Sequence, residues 1–438
     1  MKKTPVIAVF DIGKTHKKLL CFDPNYQVVW SRTATLPETL DEDDFPCEDI
    51  RALTNWILER FRELLSVPEL QVQAVNASAY GASWVFLDEN REIVAPLYNY
   101  LKPFPSALQA HFFAQYGDPS ALSRQTASPL LGSLNSGLQL YRRRHEAPEL
   151  FARIRYALHL PQFILLLLSG RLCTDRTSIG CHTMLWDFER QGYAAWVEQE
   201  NLTRLFPPLE SAESAFLTHF DDHTFLIGAG LHDSSAALIP YLLAEEEPFI
   251  LLSTGTWNIA LNPFNKLPLR QEELEQDCLC YLRTDGSPVK AARLFAGHAH
   301  EQAVGQMADY FGTDRAFYQK IAFRPELIPA DNPPFRAADY PDAERAYHAF
   351  MAALVEQQVQ QIEYVRTEDT RRLFVDGGFS QNALFMRLLA NAYPYLEVSA
   401  AAVGQASALG AALVLHRHWN DQPLPNHLLN RIRYNPIG

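Results

Sequence analysis

The alternation of apolar and polar positions predicts strands at the start of the chain. Residues 5–10 form an apolar run rich in β-branched and aromatic side chains, and 17–23 and 27–33 continue as two further strands after short polar turns. Apolar residues at helical spacing then predict an amphipathic helix over 48–66, and strand character returns at 71–77. We therefore expect a three-strand meander followed by a helix and a fourth strand.

The second part of the pattern divides the chain. The middle, about 105–220, is rich in helix formers and aromatics and shows few clear strands, whereas 224–229 predicts a buried strand. At 245–248 an acidic stretch and a proline end the following helix, and an apolar strand starts at once. This is the best boundary signal, and it predicts two domains, 1–246 and 247–438.

Two segments half a chain apart share one plan. Residues 249–263 and 9–23 each contain an apolar strand, a turn with glycine and threonine, and a second strand. The turn glycines, Gly13 and Gly255, are 242 positions apart. A weak repeat at this scale indicates duplicated domains rather than a solenoid.

The last third of the chain predicts further α/β units. A strand, a turn and a helix are expected over 371–393, a short strand over 397–399 and a small-residue helix over 404–416. Proline and aspartate predict a surface loop over 325–342.

Composition narrows the class of protein. The chain has 438 residues, of which 47% are hydrophobic and 20% charged, and these values exclude disorder for most of the length. Its net charge of −13 argues against a nucleic-acid partner, although a local site for a small anion remains compatible with an acidic surface.

The cysteine and hydropathy patterns predict a location. Six cysteines in a chain large enough to bury a core favour reduced thiols over disulfides. The N-terminus lacks the pattern of a signal peptide, and the most apolar run, 163–168, is far shorter than the roughly 18 residues of a membrane span. We expect a cytoplasmic protein without a membrane partner.

The first candidate site is the turn after the opening strand. Gly13 permits a tight turn whose backbone N–H groups can hold a phosphate, and Lys14 and Thr15 add a charge and a hydroxyl. Asp11 offers the carboxylate oxygen that Mg²⁺ prefers. The turn with Gly255 and Thr256 follows the same logic. A plain hairpin is the alternative for each turn.

Two more candidates stand where a strand meets a helix. Asp233 is suited to take a proton from an attacking hydroxyl, and its alternative role is an ordinary helix N-cap. Gly377 and Gly378 would let a flat ring approach the backbone, with Asn382 able to contact a base or ribose. The alternative for this segment is a tight strand–helix turn.

Sugar rings stack on aromatic side chains, so a group of aromatic and polar residues is a candidate for substrate contact, with ordinary core packing as the alternative. The group is Tyr80, Trp84, Tyr98, Asn99, Tyr100 and Lys102.

Together the four motifs resemble the FGGY carbohydrate kinase family. DIGKTHKK is similar to its first phosphate motif, STGTW to its second, VDGGFSQN to its adenosine motif and HDSSAA to the segment of its catalytic aspartate. The resemblance spans about residues 5–415. HDSSAA, STGTWN and QASALGAAL look most like the rhamnulokinase branch, with Gln405 where glutamate is usual. Gly137 and Leu140 stand where lysine and tryptophan are common, and the chain is short between about 300 and 370.

The resemblance implies two duplicated actin-like (ribonuclease H-like) α/β domains, with ATP and a sugar meeting in the interdomain cleft. It makes Asp233 the base that deprotonates a sugar hydroxyl and a partner of Asp11 in holding Mg²⁺. It implies that phosphates bind at Gly13, Lys14, Thr15, Gly255 and Thr256, adenosine at Gly377, Gly378 and Asn382, and the sugar at Tyr80, Trp84, Asn99, Tyr100, His232 and Asp233.

The expected reaction is phosphorylation of a ketose such as L-rhamnulose, L-fuculose or a ketopentose. The alternatives are a non-catalytic sugar and ATP sensor on the same fold, and an actin-like or chaperone ATPase. The expected partner is a small-molecule sugar, and a homodimer is expected from the habit of the family.

Overall fold

A computed structural model describes residues 3–331, 335–403, 405–425 and 428–436. Its N-terminal part contains fifteen described strands: β1 Thr4–Ile12, β2 Lys17–Phe22, β3 Val28–Ala34, β4 Glu38–Leu40, β5 Pro46–Glu48, β6 Leu70–Ala79, β7 Trp84–Leu87, β8 Tyr156–His159, β9 Thr174–Asp175, β10 Trp186–Asp187, β11 Gly192–Tyr193, β12 Leu209–Glu210, β13 Phe216–Phe220, β14 His223–Ile227 and β15 Leu231–His232.

The helices of the same part are α1 Ile50–Leu65, α2 Ser106–Tyr116, α3 Pro119–Gln125, α4 Ser136–Glu146, α5 Pro148–Arg153, α6 Leu160–Ser169, α7 Arg176–Ile179, α8 Ala195–Gln199 and α9 Asp233–Ala244. Short 3₁₀ turns occupy Gly132–Leu134 and Thr203–Leu205.

The C-terminal part has strands β16 Phe249–Thr254, β17 Asn258–Asn262, β18 Cys278–Leu282, β19 Pro288–Leu294, β20 Arg372–Gly377, β21 Glu397–Ala402 and β22 Asn430–Tyr434. Its helices are α10 Gln271–Glu275, α11 Ala296–Phe311, α12 Ala343–Val365, α13 Ala383–Ala392, α14 Ala406–Leu413 and α15 His416–Trp419. Its 3₁₀ turns are Phe317–Lys320, Pro325–Leu327, Ala337–Asp339 and Gly378–Gln381.

The two parts repeat one sheet topology. In the first, β1 pairs antiparallel with β2, β2 antiparallel with β3, β1 parallel with β6 and β6 parallel with β14. In the second, β16 pairs antiparallel with β17, β17 antiparallel with β19, β16 parallel with β20 and β20 parallel with β21. Each part thus forms a mixed sheet of seven strands, and the duplication predicted from the two glycine turns is confirmed.

The two domains meet where α9 packs against α14. A Cβ atom at Gly410 of α14 would overlap the carbonyl oxygen of Ala236 in α9, so only glycine permits this approach. The buried amide of Asn76, on β6, donates to the carbonyl oxygen of Ala411 at 2.8 Å and accepts from the backbone N–H of Gly230 at 3.1 Å. One apolar core that includes Ile7, Leu251 and residues of both helices continues across the junction.

The predicted elements agree with the structure except at their ends. The opening meander, the helix after it and the strand–turn–helix near 371–393 are confirmed. The helix expected over 404–416 is shorter, Ala406–Leu413, and Gly404 lies outside the described residues. The segment 325–342 carries two 3₁₀ turns rather than plain loop where it is described.

The six cysteines are buried and unpaired, as expected for reduced thiols. Of the helices in the described ranges, not one combines the length and the apolar character needed to cross a lipid bilayer.

Candidate functional site

Two cavities lie on either side of the turn between β16 and β17. One, of about 580 Å³, lies between the two domains and contains Asp233. The other, of about 550 Å³, lies within the C-terminal domain beside Gly378. Trp257 lines the first cavity and Gly255 lines the second. This turn is therefore placed to contact groups bound in both cavities.

Asp233 is held at the junction of β15 and α9. His232 takes the N-cap position and Asp233 is the first residue of the helix, so its carboxylate does not act as the cap. Its Oδ1 accepts the Ser234 backbone N–H at 2.6 Å and lies 3.3 Å from Nε2 of His232. The side chain is 35% exposed and faces the interdomain cavity. None of the described residues hydrogen-bonds Oδ2, which leaves that oxygen for a substrate.

Both domains build the wall of this cavity. The pKa values of His182 and His232 are lowered by burial, so both imidazoles are neutral at physiological pH. Neutral imidazoles and phenols can both donate and accept hydrogen bonds, which suits a polyhydroxylated ligand. The N-terminal domain contributes Tyr80, Tyr100, His182 and His232, and the C-terminal domain contributes Trp257, Asp277, Tyr281 and Arg293.

Two cationic side chains on the cavity wall are already paired with acids. Arg293 contacts Asp277 through two hydrogen bonds, Nε to Oδ2 at 3.0 Å and Nη2 to Oδ1 at 2.6 Å. Lys102 lies 2.6 Å from both Asp41 and Asp43. The positive charges of Arg293 and Lys102 are therefore balanced by carboxylates of the chain itself.

Lys17 holds the turn after β1 in place. This buried ammonium donates to the carbonyl oxygens of Gly13 and Lys14, each at 2.9 Å, and also pairs with Glu48. Lys14 lies 2.9 Å from Glu38 in a partly exposed ion pair. Such pairs contribute about 1 kcal/mol or less, so Lys14 can exchange this partner for a phosphate at low cost.

Asp11 lies at the end of β1, facing the first turn of α14. Ser407 donates to its Oδ1 at 2.8 Å. Burial is the main cause that raises the pKa of Asp11 to about 6, and the negative charge of Asp233 makes a smaller contribution in the same direction. The two carboxylates therefore lie close enough to repel each other at one edge of the N-terminal sheet.

The second cavity depends on two close backbone approaches. Gly377 has φ +84°, and a Cβ atom there would overlap the carbonyl oxygen of Thr254. The Thr254 hydroxyl donates to the carbonyl oxygen of Asp376 at 2.5 Å and accepts the N–H of Phe379 at 3.0 Å. Gly297, at the start of α11, likewise leaves no room for a side chain against Gly255. Both turns at the cavity are thereby fixed.

Aromatic groups form the far wall of this cavity. His300 contacts Phe379 and Tyr318 edge-on, with ring centroids 5.3 and 4.9 Å apart. Burial lowers the pKa of His300 to about 4, so its ring is neutral. Asn382 caps α13 through the N–H of Phe385 and donates to the hydroxyl of Tyr347 at 2.7 Å. These groups give the cavity an aromatic wall beside Gly378.

Sequence comparison decides the family. Residues 6–239 match the FGGY family of carbohydrate kinases, N-terminal domain, and residues 246–423 match carbohydrate kinase FGGY, C-terminal domain. The chain belongs to the FGGY family of carbohydrate kinases. It is an enzyme family, and the two-domain fold described above is that of its members. No curated protein matches the sequence.

Solved structures share the fold of this FGGY kinase. A carbohydrate kinase from Novosphingobium aromaticivorans is 22% identical with a TM-score of 0.78, covering 100% of this chain and 95% of that one. A xylulose kinase from Lactobacillus acidophilus is 14% identical with a TM-score of 0.81 and coverages of 99% and 94%. A gluconate kinase from the same organism is 15% identical with a TM-score of 0.78 and the same coverages.

The structure brings eight of the sequence-predicted residues of this kinase to the two cavities. At the interdomain cavity lie Tyr80, Tyr100, Lys102, His232 and Asp233. At the second cavity lie Gly255, Gly378 and Asn382. Gly13, Lys14 and Thr15 form the turn between β1 and β2, and Asp11 precedes it.

Three predicted substrate contacts lie elsewhere. Trp84 is 1% exposed, stacks on His159 with centroids 3.8 Å apart and donates to the Ser136 carbonyl oxygen, so it is a core residue. Asn99 closes its own turn by accepting the Leu101 N–H and donates to a carbonyl oxygen of Pro46. Tyr98 is buried against Phe86. The contacts of these three residues fit the alternative of ordinary core packing.

Several residues of the cavities were not predicted from the sequence. They stand alone, outside any local motif, and reach the site only through the fold. They are Gly81, His182, Asp277, Tyr281, Arg293, Gly297, His300 and Tyr318. Trp257 belongs to the STGTW motif, and that motif was the one available signal for its place at the interdomain cavity.

Gly137 and Leu140, which stand where lysine and tryptophan are common in the family, lie in the core. Gly137 donates its N–H to the Thr183 carbonyl oxygen at 2.9 Å, and a Cβ atom there would crowd both Thr183 and Trp196. Leu140 is fully buried. Lysine and tryptophan could not replace them in this packing.

We expect Asp11→Asn to raise thermal stability at pH 8. A carboxyl whose pKa is raised from 3.8 to about 6 binds its proton more tightly in the folded state, so folding is disfavoured once pH rises above both values. The penalty shrinks as pH falls through this range and vanishes only well below 3.8, where folded and unfolded states are both protonated. Thermal unfolding without divalent ions should show the variant melting higher at pH 8, with a much smaller difference near pH 4. An equal shift at both pH values would contradict the buried charge.

Proposed function

We propose that this chain transfers the γ-phosphate of ATP to a hydroxyl of a ketose, with Asp233 as the general base. The observation that carries the proposal is the position of one turn, residues 255–257, between a cavity containing Asp233 and a cavity lined by Gly255, Gly297 and Gly378. An acceptor hydroxyl at Asp233 and a nucleotide beside Gly378 would meet at this turn.

The proposed steps use few side chains. The free Oδ2 of Asp233 accepts the proton of the attacking hydroxyl, and His232 orients the carboxylate from 3.3 Å. The turns at Gly13–Thr15 and at Gly255–Thr256 hold the phosphates, with Lys14 supplying charge. Gly377, Gly378 and Asn382 shape the adenosine end, where Phe379 and His300 offer apolar surface. Alignment and charge neutralisation supply most of the rate in this class of reaction.

The residues present fit a magnesium ion. Asp11 and Asp233 offer only oxygen ligands, and a divalent cation would offset both the burial that mainly raises the pKa of Asp11 and the smaller repulsion from Asp233. Asp11 would hold the ion with Asp233 close by. When bound, Mg²⁺ neutralises charge on the phosphates.

The charge pairing favours a neutral sugar over an acidic one. Arg293 is held by Asp277, and Lys102 by Asp41 and Asp43, so these cations are not free to bind a carboxylate. The solved relatives include both a xylulose kinase and a gluconate kinase, and the wall described here suits the first class. The rhamnulokinase-like branch remains a prediction about the particular ketose.

We expect Asp277→Asn to relax this preference. Without the carboxylate, Arg293 gains an unpaired charge beside the cavity, so an aldonate should gain relative to a ketose by about tenfold in kcat/KM, or about 1.4 kcal/mol. Steady-state kinetics with D-xylulose and D-gluconate measure the ratio, and Asp285→Asn, in the exposed turn after β18, is the matched control. An unchanged ratio in Asp277→Asn would contradict the assigned role of the pair.

The direct experiment is a coupled ADP-release assay with Mg-ATP against ketoses, aldoses, polyols and aldonates. A single ketose with high kcat/KM supports the proposal. Sugar binding without ADP formation would favour the non-catalytic sensor, and ATP hydrolysis stimulated by peptides would favour an ATPase. The presence of both Asp11 and Asp233 disfavours the sensor.

We place the domain boundary at 246/247. Close to this boundary, Glu245 pairs with Arg372 and Arg431 of the C-terminal domain. The six buried free thiols and the need for ATP support a cytoplasmic enzyme. The homodimer expected from the family remains a prediction.

A further inference from the structure

A cluster of nitrogen and sulfur ligands lies at the inner end of the interdomain cavity. Cys181, His182 and His232 each offer one ligand atom, and these atoms lie within 4.8 Å of one another. All three side chains are buried, and the two histidines line the cavity. The segment after α7 and the end of β15 therefore supply a compact group of nitrogen and sulfur ligands, and the proposed phosphoryl transfer gives no role to Cys181.

Two observations indicate an open coordination site. Nδ1 of His182 and Nδ1 of His232 are buried without a hydrogen-bond partner among the described residues. Such orphaned polar atoms destabilise the folded state unless a ligand satisfies them. In addition, Gly81 faces the cluster without a side chain: a Cβ atom there would lie 2.9 Å from Sγ of Cys181 and 3.1 Å from Nε2 of His232. Glycine thus keeps the space between the ligands clear.

We propose that Cys181, His182 and His232 bind a zinc-class ion that inhibits the kinase. Zinc prefers nitrogen and sulfur ligands, and three protein ligands leave a fourth position open to the cavity. This donor set differs from the oxygen ligands of Asp11 and Asp233, which suit magnesium. On binding, the ion replaces the thiol proton of Cys181, which leaves to solvent.

The inhibition follows from the neighbours of His232. Its Nε2 lies 3.3 Å from Oδ1 of Asp233, so the proposed base is the outer carboxylate partner of a metal-bound imidazole. An ion on His232 would hold His232 and Asp233 in place and occupy the inner end of the interdomain cavity, where the sugar is proposed to bind. Inhibition should therefore be competitive with the sugar and not with ATP; this part rests on the proposed function.

The binding test uses Co²⁺ as a spectroscopic substitute for zinc on the full-length, metal-free chain. We expect one Co²⁺ per chain with a thiolate-to-cobalt absorption band, and Cys181→Ser should lose the band and at least about tenfold in affinity. Cys173→Ser is the matched control, because Cys173 is another buried free thiol and should leave the band intact. No band in the wild type, or an unchanged band in Cys181→Ser, would overturn the site.

Two additions keep the test decisive. Because Cys181→Ser can destabilise the core, His182→Asn provides a second variant that should lower Co²⁺ affinity while thermal unfolding reports its fold. Zinc should inhibit ADP release in the wild type and inhibit Cys181→Ser at least about tenfold less. Cobalt binding without zinc inhibition would overturn the inhibitory role alone, and failure of the kinase itself would leave the binding result standing.

Discussion

Asp233→Asn should lower kcat by about 10²–10⁴-fold while ATP still binds, because the amide cannot take the proton of the attacking hydroxyl. The substitution keeps the size of the side chain, and Asp233 is not the cap of α9, so the fold should persist. Steady-state ADP release measures kcat, and nucleotide binding measured by calorimetry reports the second cavity separately.

A matched control separates this loss from a general charge effect. Asp309→Asn removes a carboxylate that is 76% exposed on α11, and we expect its kcat to equal that of the wild type. Turnover of Asp233→Asn within threefold of the wild type would contradict the assignment of the base.

Gly410→Ala should destabilise the folded chain by about 3 kcal/mol, the upper end of the cost of overpacking. The added methyl group would overlap the carbonyl oxygen of Ala236, and a backbone atom within α9 cannot move aside as a flexible side chain can. The strain falls on the contact between the two domains. The midpoint of thermal unfolding, compared with the wild type at one protein concentration, measures the effect.

Gly305→Ala is the matched control for this change. It also adds a methyl group inside a helix, α11, but the added atom would meet only the end of the Arg315 side chain at 3.9 Å or more. Higher helix propensity should stabilise this variant by up to about 1 kcal/mol. Equal unfolding midpoints for the two variants would show that the α9–α14 crossing tolerates a side chain.

The sequence predicts the duplicated fold because the same local pattern occurs twice. The strand, glycine turn and strand around Gly13 occur again around Gly255. The same local pattern therefore predicts the same strand–turn–strand unit in both halves of the chain. The place of Asp233 could also be predicted from a local pattern, because its carboxylate follows a buried strand and precedes a helix in the sequence. The pairing of equivalent strands in both sheets bears out the duplication.

Other parts of the site could not be predicted because they arise from contacts between distant segments. Arg293 lies on β19, and only the packing of the two domains brings it to a cavity that also holds Asp233. His300 reaches the second cavity because α11 starts against the Gly255 turn. Trp84 shows the opposite case: its residue type suggested sugar stacking, but a bulky aromatic in a strand is more often part of the core, and Trp84, the first residue of β7, is buried.

Burial makes the negative charge of Asp11 costly to the folded chain. Asp11 is buried beside another acid, and its raised pKa records the penalty of keeping that charge in the cleft. A protein that did not use this charge would be more stable with asparagine at the position. Retention of an unfavourable buried charge is typical of residues that act on a substrate or an ion.

The most direct test of the account is the product balance of the reaction. The wild-type chain is incubated with Mg-ATP and the best ketose, and ADP, inorganic phosphate and sugar phosphate are quantified by phosphorus NMR. The account predicts one sugar phosphate for each ADP, with negligible inorganic phosphate. ADP matched by inorganic phosphate, with no sugar phosphate formed, would contradict it.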